Sequence, residues 1–266
     1  METVFIIDYI ALGILVGFMA GLLGVGGGGI MVPIFAMLFV MQKMPADEVM
    51  HLALGTSMAT IIFTSFSSMR AHHKKGNIEV SMALKIAIGV IIGTFLATFL
   101  ASYLKGVYLA LFFSAFMSFV AYKMFQKTHY YYNPKPHGVL GNILSGTLIG
   151  AISALVSIGG GSLSVPYLMH QNFDIKRAIG TSAAIGFPIA ISGTLGYLVN
   201  GWTHTDWNHF IIGYIYIPAV VLVAISSAFT APLGVKYATK LPVDTLKKIF
   251  GVLSVILSVK MLLSVL

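Results

Sequence analysis

Two glycine-rich runs hold the groups in this chain best placed to do chemistry: Gly24-Val-Gly-Gly-Gly-Gly29 and Ser157-Ile-Gly-Gly-Gly-Ser162. Consecutive glycines lack the side chains that shield and stiffen a helix, and each costs up to about 1 kcal/mol in a helix interior. The runs therefore predict unwound backbone. Each leads into a short apolar stretch, Gly26–Met41 and Gly159–Gln171. The amides of Gly26, Gly27, Gly28 and Gly29, and of Gly159, Gly160, Gly161 and Ser162, then open a short helix. A helix start carries unpaired N–H groups and partial positive charge, which suits an anion. Downstream, Gly55-Thr56-Ser57 and Gly180-Thr181-Ser182 recur. The hydroxyls of Thr56, Ser57, Thr181 and Ser182 are able to donate to an anion's oxygens, or to serve only as caps and local hydrogen bonds. The plainer reading of the glycines is close helix packing.

Other chemistries have little to stand on. No Gly-Lys-Ser/Thr closes either run, so nucleotide binding is not expected. The eight His form no metal-ligand pattern: His72-His73 adjoins a basic loop, His204 and His209 are peripheral, and His51 reads as a solvated loop residue. Absent cysteine removes thiolate metal sites and Cys nucleophiles. HExxH, GxSxG and paired carboxylates are missing, so neither an enzyme, a metal site nor a cofactor is expected. Asp8, Glu79 and Asp206 lie near segment ends or in loops. A buried cation site or proton relay normally needs a carboxylate mid-membrane, although backbone carbonyls are able to hold Na⁺.

The elements that position these residues are membrane helices. Of 266 residues, 58% are apolar and 9% charged, whereas a soluble domain carries roughly 25% charged residues. Mean hydropathy is +0.92. A crossing needs about 20 residues, and full-length candidates are Phe5–Leu23, Leu52–Met69, Met82–Leu104, Val107–Phe125, Gly138–Val156, Ala178–Val199, Phe210–Pro232 and Leu246–Leu266. The N-terminus lacks the basic start and small-residue cleavage site of a signal peptide, so the first run is read as a retained helix. Counting the two short stretches as crossings gathers Arg70, Lys74, Lys75, Lys127, Lys135, Lys176, Arg177, Lys236, Lys240, Lys247 and Lys248 on one side, with Lys85 and Lys123 near it. Lys43 and Lys105, with Lys260 near the last helix end, fall on the other. By the positive-inside rule the basic side is cytoplasmic and both termini are outside. The net charge of +8 thus reflects topology rather than nucleic-acid binding. Trp202, Trp207 and Tyr130–Tyr132 suit interfacial anchors.

The chain repeats itself. Gly17–Pro33 and Gly150–Pro166 share seven of seventeen positions, and Ala53–Ala59 and Ala178–Ala184 share five of seven. The expected fold is an all-α polytopic membrane protein with two repeats, residues 1–128 and 129–266, of about five apolar segments each. An odd number of crossings inverts the second repeat, an architecture recurrent in secondary transporters with a central site.

These motifs (GLLGVGGGGIMVP, the paired GTS, IGGGSLSVP, Gly201-Trp202 and the closing Pro-Leu-Gly234 and Leu246–Met261 segments) resemble the TauE/SafE sulfite exporter family over essentially the whole chain. The resemblance implies a permease of a prokaryotic cytoplasmic membrane that exports a small sulfur-containing anion such as sulfite or sulfoacetate. It also leaves a coupled proton or sodium ion, and the oligomeric state, open. Ser157 and Ser162 replace glycines of the first repeat and make the two halves of a site chemically unequal. A cation or metal permease of similar architecture, or a non-transporting scaffold, remains the alternative.

Overall fold

The computed structural model describes residues 3–23, 27–126, 137–238 and 243–263. Its helices are α1 (Thr3–Leu23), α2 (Gly28–Met41), α3 (Val49–Lys74), α4 (Val80–Tyr103), α5 (Gly106–Phe125), α6 (Val139–Val156), α7 (Gly161–His170), α8 (Ile175–Asn200), α9 (Ile217–Ala238) and α10 (Val243–Leu263). Among the described residues, seven helices have the length and apolarity to cross a bilayer. The protein is therefore an all-α, multi-pass membrane protein. The expected segments match these helices closely, with one correction. Residues 210–216 do not begin a helix: Phe210 and Gly213 adopt left-handed φ of 58° and 59°. There β1 (Ile211–Ile212) and β2 (Ile215–Tyr216) pair as a tiny antiparallel hairpin before α9. An apolar run alone does not distinguish a buried hairpin from a helix.

α3 and α8 form the centre. Of their most apolar stretches 83% and 56% are buried, against 44% or less in the other crossing helices. Around them, α1 packs along α9 as α6 packs along α4, and α3 meets α9 as α8 meets α4. The partners thus exchange between the two halves of the sequence. Small residues make both outer seams close. A Cβ on Gly13, Gly17 or Gly21 of α1 would lie 2.7, 2.4 or 2.0 Å from a carbonyl oxygen of α9. On the other seam, a Cβ on Gly146 or Gly150 of α6 would lie 2.5 Å from a carbonyl of α4. Glycine packing of this kind substitutes for the hydrophobic driving force that lipid removes. Where α5 crosses α10, Ser114 Oγ donates to the Ser258 carbonyl at 2.7 Å and Ser258 Oγ returns a bond at 2.8 Å.

Two ends follow from the contacts. At the hairpin end, His51 Nε2 lies 3.1 Å from the carbonyls of Ala101 and Leu104, and the Tyr214 ring stacks between His51 and His204. His51 is a buried residue of α3, not the solvated loop residue its sequence suggests. At the other end, Lys75 Nζ donates to the Val235 carbonyl at 3.0 Å, and Glu79 N–H to Thr181 Oγ1 at 3.0 Å. Arg70, Lys74, Lys176, Arg177 and Lys236 lie in the same segments, so this is the basic end.

Candidate functional site

The glycine runs are breaks. α2 and α7 each start from a glycine in the left-handed region, Gly27 at φ 78° and Gly160 at φ 77°. A third left-handed residue, Ser157 at φ 48°, ends α6. Residues with side chains adopt this conformation at a cost of roughly 1–2 kcal/mol, so glycine is the economical choice. Neither short helix has a side-chain N-cap. The amides of their first turns, Gly28 and Gly29 in α2, Gly161 and Ser162 in α7, therefore belong to the class with no intrahelical acceptor. Gly24, Val25 and Gly26 lie outside the described residues, so the expected role of Gly26 has no structural counterpart here.

Both breaks sit at the middle of the bundle. A Cβ on Gly28 would approach Ile61 Cδ1 to 2.8 Å, and Ile61 is midway along the 26-residue α3. A Cβ on Gly186, near the midpoint of the 26-residue α8, would lie 2.6 Å from the Gly159 carbonyl. The breaks also touch each other. A Cβ on Gly28 would fall 1.6 Å from the Ser157 carbonyl oxygen, and one on Gly29 would fall 3.6 Å from Ile158 Cδ1. From this meeting point α2 runs toward the hairpin end, where Gln42 donates to the Tyr9 hydroxyl. α7 runs toward the basic end, where Tyr167 and Gln171 each donate to Asn142 Oδ1 at 2.8 Å. Two short helices therefore point their amide ends at one another from opposite directions.

The Gly-Thr-Ser motifs do two separate things. Gly55 and Gly180 let an extended segment pass closely, since a Cβ there would lie 2.1 Å from the Tyr214 carbonyl and 2.3 Å from the Asn77 carbonyl. Thr56 Oγ1 then accepts the Tyr216 N–H at 3.0 Å, and Thr181 Oγ1 accepts the Glu79 N–H at 3.0 Å. Each threonine holds the chain two residues beyond the carbonyl that its glycine admits, just ahead of α9 or α4. The serines face inward instead. Leu54, Ser57 and Ile61 recur at three- and four-residue spacing and so share one face of α3. Ser157 Oγ donates to the Leu54 carbonyl at 2.9 Å, while Ile61 meets Gly28. Ser57 thus lies on the face that the breaks press against, fully buried, its Oγ without a hydrogen-bond partner. Ser162 Oγ is likewise buried and unpartnered. Ser182 Oγ lies 3.4 Å from Ser164 Oγ. The arrangement places helix-start amides and the unpartnered hydroxyls of Ser57 and Ser162 about the meeting of the breaks. Such groups, N–H and O–H donors at the starts of two helices, are complementary to a small anion.

The sequence profile of the sulfite exporter TauE/SafE family matches residues 9–261. The chain belongs to this family. A TauE/SafE relative from Haemophilus influenzae named "Probable membrane transporter protein" is 36% identical over 97% of this chain and 98% of its own length. A namesake from Methanocaldococcus jannaschii is 27% identical over 87% of this chain and 86% of its own. A third, from Bacillus subtilis, is 23% identical over 88% of this chain and 90% of its own. No solved structure matches the chain. This TauE/SafE member is accordingly a membrane transporter and not an enzyme.

Two features of this TauE/SafE chain escape a reading of the sequence. Clefts of about 410 and 520 Å³ open on the α4–α8 face, the second also lined by Met69, Arg70 and His73 of α3, and both touch Pro188 inside α8. His72, read only as adjoining a basic loop, is a buried residue of α3. Its position four residues after Ser68, on the face that carries Ser57, was the available signal.

Proposed function

We propose that the protein is a permease for a small sulfur-containing oxyanion, sulfite or sulfoacetate being the model solutes, working outward across the cytoplasmic membrane of a prokaryote. The observation that carries this reading is the contact of the two breaks at mid-depth, Gly28 against Ser157, beside the left-handed glycine starts Gly27 and Gly160. Each opens a helix whose first-turn amides carry partial positive charge, where an anion gains most from a medium of low dielectric constant. Of the expected amides of Gly26–Gly29 and Gly159–Ser162, that of Gly160 donates to the Ile158 carbonyl at 2.7 Å, and the others supply the site. Ser57 and Ser182 supply hydroxyls, and Thr56 and Thr181 lock the backbone around them while retaining one hydroxyl proton each.

The exchange of helix partners between residues 1–128 and 129–266 supports an inverted pair of repeats, and rocking of one against the other would open the centre to alternate sides. In this reading the conformation described here, with Gly28 against Ser157, is the occluded one. The basic end is cytoplasmic and concentrates anions before they enter. A proton or sodium ion drives the cycle.

A proteoliposome flux screen across sulfite, thiosulfate, sulfate, sulfoacetate and chloride, with and without a pH gradient, tests the reading. The expected result is saturable flux of one or two oxyanions, lost in Gly27→Leu and Gly160→Leu variants that still insert. Flux that follows the cation when anions are exchanged would overturn it, as would parental rates in both variants.

A further inference from the structure

One buried group has no part in the site as drawn. His72 is 3% exposed, and both ring nitrogens lack a hydrogen-bond partner. The Gly21 carbonyl of α1 is near without making hydrogen-bond geometry. Ser68, four residues earlier and 1% exposed, has an unpartnered Oγ as well. Buried polar atoms are nearly always paired, so three orphaned atoms one turn apart require an explanation. An ionisable side chain inside a membrane helix, facing the bundle, points to a pathway.

The orphans fall in line with the central site. Ser57, Ile61, Thr64, Ser68 and His72 recur every three or four residues, so they lie on one face of α3 from the breaks to the basic end. Thr64 and Ser65 back-bond to the Ile61 carbonyl, at 3.3 and 2.6 Å, as hydroxyls in membrane helices often do. Ser57, Ser68 and His72 do not. Packing does not demand this pattern, because the second half of the chain lacks it. The positions of α8 that correspond to Thr64, Ser68 and His72, in the register that aligns Thr56 with Thr181, are Ile189, Gly193 and Tyr197. Tyr197 is fully buried, but its hydroxyl donates to the Ala154 carbonyl at 2.9 Å.

The charges around His72 are almost all positive. Lys75 bears on it directly. Arg70 and Lys74 share its helix end, Lys236 comes from α9, and Lys176 and Arg177 begin α8, where Asp174 caps the helix and pairs with Arg177 at 3.8 Å. The nearest carboxylate in sequence is Glu79, ahead of α4, and neither the basic-end half of α1 nor any part of α9 contains one. An imidazolium there has no fixed counter-ion. It is stabilised when an anion arrives.

We propose that the α3 stripe is the anion's route between the glycine breaks and the basic end, and that His72 loads one proton onto each anion that enters it. The inference rests on the permease reading above and names its coupling ion. The proton passes from water at the basic end to a ring nitrogen lone pair. The imidazolium holds the arriving anion and hands the proton to one of its oxygens, leaving neutral imidazole behind. The protonated solute carries the proton along the stripe and releases it to water on the far side. Ser68 and Ser57 donate to the anion on the way. Transport is then electroneutral for a monovalent anion, and a pH gradient drives anion accumulation by about tenfold per pH unit.

The test is radiolabelled sulfite flux into proteoliposomes at fixed pH gradients, with wild type, His72→Gln and the exposed-residue control His73→Gln. Wild type and His73→Gln should follow the gradient at about tenfold per pH unit, and His72→Gln should not respond. A gradient response that survives in His72→Gln overturns the proposal. So does wild-type flux that ignores the gradient, which leaves the permease reading intact. Absence of sulfite flux by any variant counts against both. Should His72→Gln fail to fold, the wild type alone still decides through a pH-indicator dye. Mixing the detergent-solubilised protein with sulfite should take up about one proton per bound anion beyond a buffer blank, and no uptake on binding overturns the proposal.

Discussion

Gly28→Ala perturbs the contact on which the central site is built while leaving local helix formation alone. Gly28 begins α2 with an ordinary negative φ, so alanine suits its backbone and its propensity gain is at most about 1 kcal/mol. The new methyl, however, would fall 1.6 Å from the Ser157 carbonyl oxygen. Both partners are backbone, so neither can rotate away, and the breaks must separate by roughly 1.5 Å to restore ordinary contact. Overpacking of this kind costs about 1–3 kcal/mol. Set against the propensity gain, the net loss is roughly 1–2 kcal/mol, or about a 5–30-fold fall in the population of the closed conformation. Gly29→Ala is the control, because its methyl meets only the flexible ends of side chains, Met117 Cε at 3.2 Å and Ile158 Cδ1 at 3.6 Å. The assay is oxyanion flux in proteoliposomes beside thermal unfolding in detergent. Gly28→Ala should lose about 2–8 °C, on the scale for a soluble domain of similar length, and most of its flux, while Gly29→Ala keeps both. Equal behaviour of the two variants would refute the reasoning, since it would mean that the breaks are not in contact.

Thr181→Val should leave the Glu79 N–H unpaired and cost about 1–3 kcal/mol, and Thr56→Val should do the same to Tyr216, with serine restoring much of each loss in thermal unfolding. Asn142→Leu removes the acceptor shared by Tyr167 and Gln171 and should release the outer end of α7, seen as faster hydrogen exchange over residues 161–171. In the exposed loop before the hairpin, the hydrogen bond from His209 is the main reason the Asp206 carboxyl titrates below its ordinary range. A depressed carboxylate adds stability above its unfolded value and loses it as pH falls through the folded one. His209→Ala should therefore move the acid transition of Trp207 fluorescence to higher pH.

The glycine runs were the most legible part of the chain, because four or three successive glycines conflict with a helix whatever surrounds them. Their consequence, helices beginning at Gly28 and Gly161, followed directly. The repeated Gly-Thr-Ser motif was legible as important but not in its division of labour. Whether a hydroxyl faces a solute or holds a neighbouring strand depends on what α9 and α4 bring against it, and those segments are about 160 and 102 residues from the motif in sequence. His51 and His72 were misjudged for one reason. Both lie near helix ends where polar residues are usually solvated, yet α4 covers one and α1 the other. The hairpin at 210–216 was hidden by its own apolarity, and the positive φ of Phe210 and Gly213 and the β1–β2 pairing separate it from a helix.

A structure of the wild-type protein determined with its transported oxyanion present tests the account most directly. The anion should lie between the starts of α2 and α7, within about 3 Å of amide nitrogens among residues 28–29 and 161–162. Density for the anion elsewhere, with Gly28 still closed on Ser157, would contradict it.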